Sequence, residues 1–301
     1  MKKKKGYRMF YFFLGCLLVL IYFVGCQADF IAGKLTFHPT KYPQGHWHSI
    51  NRMNDVSTEV SFRNTKNQVL VGQYFEYQKV RKVITDHFNH SDHREDTVQG
   101  SILYCHGNAE NISHLVDLAL QLSIDLRCNI LIFDYAGYGK SEGKPTAKGI
   151  LDDGRAARDW LAARDGISHE QVIVYGQSLG GSVAVDIAAK DGAKGLIVES
   201  SFTSLGDMGR KLFPMLPANY LLRERLASVE KIGMAACPVF ISHSKSDQVI
   251  PFSQGQRLFD NAQEPKTFYI PPSGYDYHSA PHCDEHRYKL KEFINSIQNQ
   301  E

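Results

Sequence analysis

The chain has 301 residues, 43% of them hydrophobic and 22% charged, which suits one sizeable globular core and excludes a disordered or fibrous protein. The formal net charge is +2, but five basic residues (Lys2, Lys3, Lys4, Lys5 and Arg8) precede the first acidic one, so the rest carries 29 basic against 32 acidic side chains. That balance has no nucleic-acid footprint.

The opening MKKKKGYRMFYFFLGCLLVLIYFVGC is a basic cap on an uncharged apolar run from Met9 to Gly25. The run is short for a membrane span and long for a signal-peptide core, so its length leaves both readings open. The lysines orient it: they stay cytoplasmic and send the remainder across. Residues 1–28 are therefore expected to be a signal or membrane anchor, with the folded domain, 29–301, on the extracytoplasmic side. The FVGC stretch also resembles a bacterial lipoprotein processing site with Cys26 as the lipidated residue. Cys105, Cys128, Cys237 and Cys283 are scattered, and their spacing suggests neither a metal site nor a disulfide framework.

Beyond the anchor, STEVSFRN and QVLVGQYFEY alternate around a polar turn and predict an antiparallel hairpin. Apolar runs at SILYCH, NILIFDY, QVIVYG, GLIVES, PVFISH and KTFYI then alternate with helix-length segments near 111–126, 147–164, 179–190, 254–261 and 284–297. Strands alternating with helices predict a mostly parallel sheet covered by helices on both faces. Two stretches interrupt the alternation. KVRKVITDHFNHSDHRED reads as a polar surface loop in which His87, His90 and His93 are incidental rather than metal ligands. Residues 202–232 are amphipathic and proline-punctuated, and form the expected lid; a surface helix packed on the sheet would have the same composition.

The sequence VIVYGQSLGGSVAVDIA sets a β-branched strand against a small-residue helix, with Ser178 at the joint. A nucleophile on such a turn is forced into a strained backbone conformation, and its neighbours two positions away must be tiny. Gly176 and Gly180 meet that need, so GQSLG reads as a nucleophile elbow. A serine hydroxyl needs a base, and the base needs an orienting acid. Asp247, in SKSDQVIP, follows a strand and precedes the histidines in the chain order Ser, Asp, His. Among these, His286 falls within the C-terminal helix. His278 and His282 remain as candidate bases, His278 favoured by its Gly-containing loop. Asp134 precedes the serine and reads as part of a structural turn, whereas Glu199 is an alternative acid. The expected oxyanion donors are the amides of Leu179 and, in HGNAEN, of Asn108.

HGNAENISH, FDYAGYGKSEGKPT, GQSLGGSVAVDIA, ESSFTSL and HSKSDQVIP together resemble the α/β-hydrolase superfamily. They are most similar to its membrane-anchored serine hydrolases with a small lid, a group that includes protein depalmitoylases and lysophospholipid lipases. The resemblance spans about residues 55–298. It implies an eight-stranded α/β-hydrolase fold, a triad of Ser178, Asp247 and His278, and an oxyanion hole of Asn108 and Leu179. The sequence GYDYHSAP departs from the group's usual histidine loop. The implied function is cleavage of a carboxylic ester or thioester, without metal or organic cofactor, on a small-molecule or lipid-like acyl substrate. The apolar lid residues Leu212, Phe213, Met215, Leu216, Tyr220 and Leu221 suggest an apolar acyl group. Two other readings use the same fold: a membrane-tethered binding protein without turnover, and an acyltransferase or peptidase on the same triad.

Overall fold

A run such as Val172–Gln177 offers no polar face to water and needs apolar cover on both sides. The computed structural model, which describes residues 36–88, 97–212, 226–272 and 283–298, supplies that cover. In chain order the elements are α1 (Trp47–Arg52), β1 (Thr58–Arg63), β2 (Val69–Phe75), α2 (Tyr77–Phe88), β3 (Gly100–Cys105), α3 (Val116–Leu126), β4 (Cys128–Phe133) and α4 (Ala147–Asp165). There follow β5 (Val172–Gln177), α5 (Leu179–Asp191), β6 (Gly195–Glu199), α6 (Leu205–Leu212), α7 (Ser228–Lys231), β7 (Val239–Ser242), α8 (Phe252–Asn261), β8 (Lys266–Tyr269) and α9 (Asp284–Gln298). The eight strands form one sheet in the order β1-β2-β4-β3-β5-β6-β7-β8. The β1–β2 and β2–β4 pairs are antiparallel and all others parallel.

Alternation along each strand divides the core in two. Leu103, Val174, Leu196 and Val239 face α4, α5 and α8, whereas Ile102, Ile173, Ile197 and Phe240 face α3 and α9. On the first face α4 and α5 approach closely, because Gly154 leaves room for Val183. Thr146 caps α4 by accepting the Gly149 amide, and Gly166 ends it at φ 68°.

The polar insert after β2 is not the loop expected from its charge. It opens as helix α2, whose Val80 is fully buried and whose Val83 and Ile84 pack on the core. Helical spacing of these apolar residues outweighs the charges between them. His90 and His93 lie outside the described residues. In the expected lid, α6 and α7 are helical, while 213–225 lie outside the description, as do the side chain of Leu212 and the expected 1–28 anchor. No helix among the described residues is long and apolar enough to cross a membrane. Cys105, Cys128, Cys237 and Cys283 are buried free thiols.

Asp186, on α5, is fully buried and binds cations from three elements: Arg155 of α4 at 2.7 Å, Lys231 of α7 at 2.5 Å and Lys190 at 2.9 Å. Burial raises its carboxyl, but hydrogen bonds from Lys231, Arg155 and Lys190 outweigh that and hold it below the usual carboxylate range. Asp186→Ala removes the partner these cations share, leaving Arg155 paired with Asp191 alone, and is expected to cost about 3 kcal/mol near pH 7. A lowered carboxylate stabilises the fold above its unfolded value near 3.9, so the cost should shrink as the pH falls below about 4. Urea unfolding at pH 7 and pH 3.5 measures both, and an unchanged midpoint at pH 7 would contradict the linkage.

Candidate active site

Strand β5 ends at Gln177, helix α5 begins at Leu179, and Ser178 alone makes the turn at φ 52°, ψ −114°. A β-carbon on Gly176 would overlap the Gly180 carbonyl, and one on Gly180 would overlap the Cys105 carbonyl oxygen at the end of β3. Both positions therefore need glycine. The turn is fastened on its far side, where the Ser178 amide donates to the Glu199 carbonyl at 2.9 Å and its carbonyl accepts from Ser201 Oγ at 2.7 Å. Ser178 is half-buried, and the first turn of α5 directs its amide dipoles toward it.

The loop after β3 faces this turn. A β-carbon built on Gly107 would lie 3.5 Å from Ser178 Cβ, so the two backbones run side by side. The amides of Asn108 and Leu179 donate to no acceptor among the described residues. The Asn108 side chain is fixed at both ends: Nδ2 donates to the Thr36 carbonyl at 2.5 Å, and Oδ1 accepts from the His38 amide at 2.9 Å and Tyr138 Oη at 2.7 Å. Asn111 Nδ2 donates to the carbonyls of Thr40 and Gln44, each at 3.0 Å, and Thr40 Oγ1 to that of Ala109 at 2.8 Å. The segment preceding β1 is thus stitched onto this loop, an arrangement with no signature in the sequence because backbone groups make most of it.

Beneath the loop, His106 and Asp134 are fully buried with Nε2 and Oδ1 3.6 Å apart. Burial drives His106 down to about 4 and Asp134 up to about 8, so at pH 7 both are neutral and the approach is not an ion pair. Asp134 accepts the Ile112 amide at 3.0 Å, and Gly139 packs against its carboxyl. It is the turn element expected from its place in the chain.

Asp247 follows β7. Its Oδ1 accepts the amides of Val249 and Ile250, both at 2.8 Å, while Oδ2, 3.5 Å from His243 Nε2, has no hydrogen-bond partner among the described residues. Burial raises this carboxyl, but His243 and the Ile250 and Val249 amides outweigh it and hold the group below the usual carboxylate range. His243 is fully buried, and its Nε2–H donates to the Ile250 carbonyl at 3.0 Å. Sequence reasoning misses this histidine, although its spacing of four from Asp247 is the available signal. His278 and His282 lie outside the described residues. His286 is in α9 as expected, yet it is not idle: its Nε2 sits 2.5 Å from Glu199 Oε1, buried against Phe240 and Tyr269. Glu199, the alternative acid, is therefore taken up by a histidine in the core. Among the described residues no cluster of His, Cys, Asp or Glu has metal-binding geometry. A groove of about 600 Å³ lies elsewhere, between α2, α3 and α9, lined by Arg81, Asp125 and Arg287.

The family model described as alpha/beta hydrolase fold matches residues 100–223. The uncharacterised Escherichia coli protein YfhR is 31% identical over 210 residues, covering 68% of this chain and 73% of its own. Human alpha/beta hydrolase domain-containing protein 17B is 35% identical over 198 residues, covering 65% of this chain and 66% of that protein. An uncharacterised Mycobacterium tuberculosis protein is 36% identical, and this chain spans only 61% of its length. In structure, the chain is similar to the Pyrococcus furiosus esterase Pf2001, with TM-score 0.65 at 14% identity, over 87% of this chain and 99% of that one. The chain belongs to the α/β-hydrolase family.

Glu110 is a titratable group in the loop that faces the turn. It accepts the Gly107 amide at 2.7 Å, and burial pushes its carboxyl up to about 7, against a smaller opposing effect of that hydrogen bond. An acid raised in the fold contributes stability that is full below its unfolded value near 4.3 and is lost as the pH rises through its folded value. The Gly107 amide resonance should therefore move with a midpoint near pH 7, and Glu110→Gln should abolish the movement. An amide that titrates near 4 instead would contradict the burial of this carboxyl.

Proposed function

We propose that the protein is a serine hydrolase that cleaves carboxylic esters or thioesters through an acyl-enzyme. The observation that carries this reading is the strained Ser178, held half-exposed by the loop after β3, where the amides of Asn108 and Leu179 have no acceptor among the described residues. In this reading His278 takes the proton of Ser178 as Oγ bonds to the carbonyl carbon, and the carbonyl electron pair moves onto oxygen. The two amides stabilise that oxyanion by roughly 3 kcal/mol each. When the carbonyl re-forms, the bond to the alkoxide or thiolate breaks, and the imidazolium returns its proton to the leaving group. Water then repeats the sequence and releases the acid. Asp247 is the orienting acid. Two backbone amides immobilise its Oδ1 and leave Oδ2 available to an incoming imidazole, while Asp134 and Glu199 are occupied elsewhere.

The substrate class, an ester or thioester with an apolar acyl group, rests on the apolar sequence of the expected lid and on the expected membrane anchor at residues 1–28.

Steady-state kinetics on one short-chain ester test the assignment. Ser178→Ala, His278→Ala and Asp247→Asn should each lose about 10⁴-fold or more in kcat, because the three act as a unit. His282→Ala should stay near the wild-type rate. Full activity in Ser178→Ala would overturn the reading, and full activity in His278→Ala with collapse in His282→Ala would move the base four residues along.

A further inference from the structure

The segment that joins the N-terminal apolar run to the fold does not enter at a neutral place. Thr36, His38 and Thr40 are bonded to Asn108 and Ala109, the Tyr42 amide donates to the Gly139 carbonyl at 2.9 Å, and Phe37 is buried in the core. Asn108 and Gly139 both follow the carboxyl ends of parallel strands, β3 and β4, the edge of the sheet that bears Ser178. The chain is therefore anchored to the domain at the mouth of the candidate site.

We propose that this end of the sheet rests against the lipid surface that holds the N-terminal run, so that the site takes its ester from that surface. The inference rests on the anchor reading of residues 1–28 and, for the ester, on the hydrolase reading above. Its first support is reach. Ten residues separate Gly25 from Thr36, and ten residues span at most about 35 Å even when fully extended. A domain of this size has a radius of gyration of about 18 Å and is about 45 Å across. Turned the other way, it would hold Thr36 farther from the membrane than the connecting chain extends.

The second support is the composition of the edge. Of the five large apolar side chains most exposed to water among the described residues, three, Tyr42 (56%), Val249 (51%) and Ile270 (39%), lie there, the latter two just past β7 and β8, while Met234 precedes β7 and Tyr288 is in α9. Tyr42 packs edge-on against Trp47 at 5.2 Å, and the Lys140 ammonium sits 5.1 Å from the Trp47 ring. Lys41 and Lys245 are exposed on the same edge. Tyrosine and tryptophan with interspersed lysines suit the zone between headgroups and acyl chains, and the lysines suit anionic headgroups.

The two tryptophans of the chain report the orientation. Trp47 is on the proposed contact edge. Trp160 is late in α4, which runs back to the start of the strands, where Asp165 accepts from Ser101 Oγ and Asn129 Nδ2. Full-length protein is placed in phosphatidylcholine–phosphatidylglycerol vesicles containing a lipid with a headgroup nitroxide. Trp160→Phe, which retains Trp47, should be quenched at least about twofold more than Trp47→Phe, which retains Trp160. If Trp160→Phe does not fold, the difference between wild type and Trp47→Phe gives the Trp47 signal. Equal quenching, stronger quenching of Trp160, or failure to float with the vesicles would overturn the proposal. Hydrolysis of a short-chain soluble ester by the same vesicles is read separately: quenching as expected without hydrolysis sinks the hydrolase reading, and hydrolysis with equal quenching sinks the orientation alone.

Discussion

Helix α5 sits so close to the end of β3 that position 180 has no room for a β-carbon beside the Cys105 carbonyl. Every other feature of the candidate site depends on this approach. It brings the first amides of α5 level with the Gly107–Asn108 backbone, and it obliges Ser178 to turn at positive φ, a conformation that costs a serine of order 1–3 kcal/mol. The cost is offset by cover on both faces of β5 and by the tie between the Ser178 amide and β6. Position 178 is therefore decided by packing far larger than the residue itself, and a hydroxyl there is held out of the sheet.

Around that turn the fold uses buried histidine–acid pairs as fasteners. The neutral His106–Asp134 pair sits under the loop after β3, His243 lies against Asp247 below the acid loop, and His286 meets Glu199 between β6 and α9. Each lies at the carboxyl edge of the sheet, and the first and third join segments far apart in the chain. The N-terminal segment does similar work from outside, with Asn108 and Asn111 as its points of attachment.

The parallel strands, the small-residue helix and the elbow were legible because each is a local pattern: β-branched runs, a change of period, and glycines at fixed offsets from a serine. That Asp247 stands just past a strand was legible from the apolar run before it. Helix α2 was misjudged because it opens an insert whose later part is polar and histidine-rich, although Tyr77, Val80, Val83 and Ile84 carry a helical spacing. The attachment of residues 36–46 to the Asn108 loop was not legible at all. It is made by hydrogen bonds between groups about 70 residues apart, many of them backbone, and such bonds leave no periodicity. The partnership of Glu199 with His286 was missed for a related reason, since a histidine on a helix facing a strand 87 positions earlier is visible only once the sheet is assembled.

The central claim is that Ser178 is the nucleophile of an acyl transfer. The most direct test is to react active protein with a fluorophosphonate until ester hydrolysis stops, digest it, and locate the adduct by mass spectrometry. The account predicts one phosphonyl group per chain, carried by Ser178. An adduct on another serine that tracks the loss of activity, or full hydrolytic activity in protein that takes up no phosphonyl group, would contradict it.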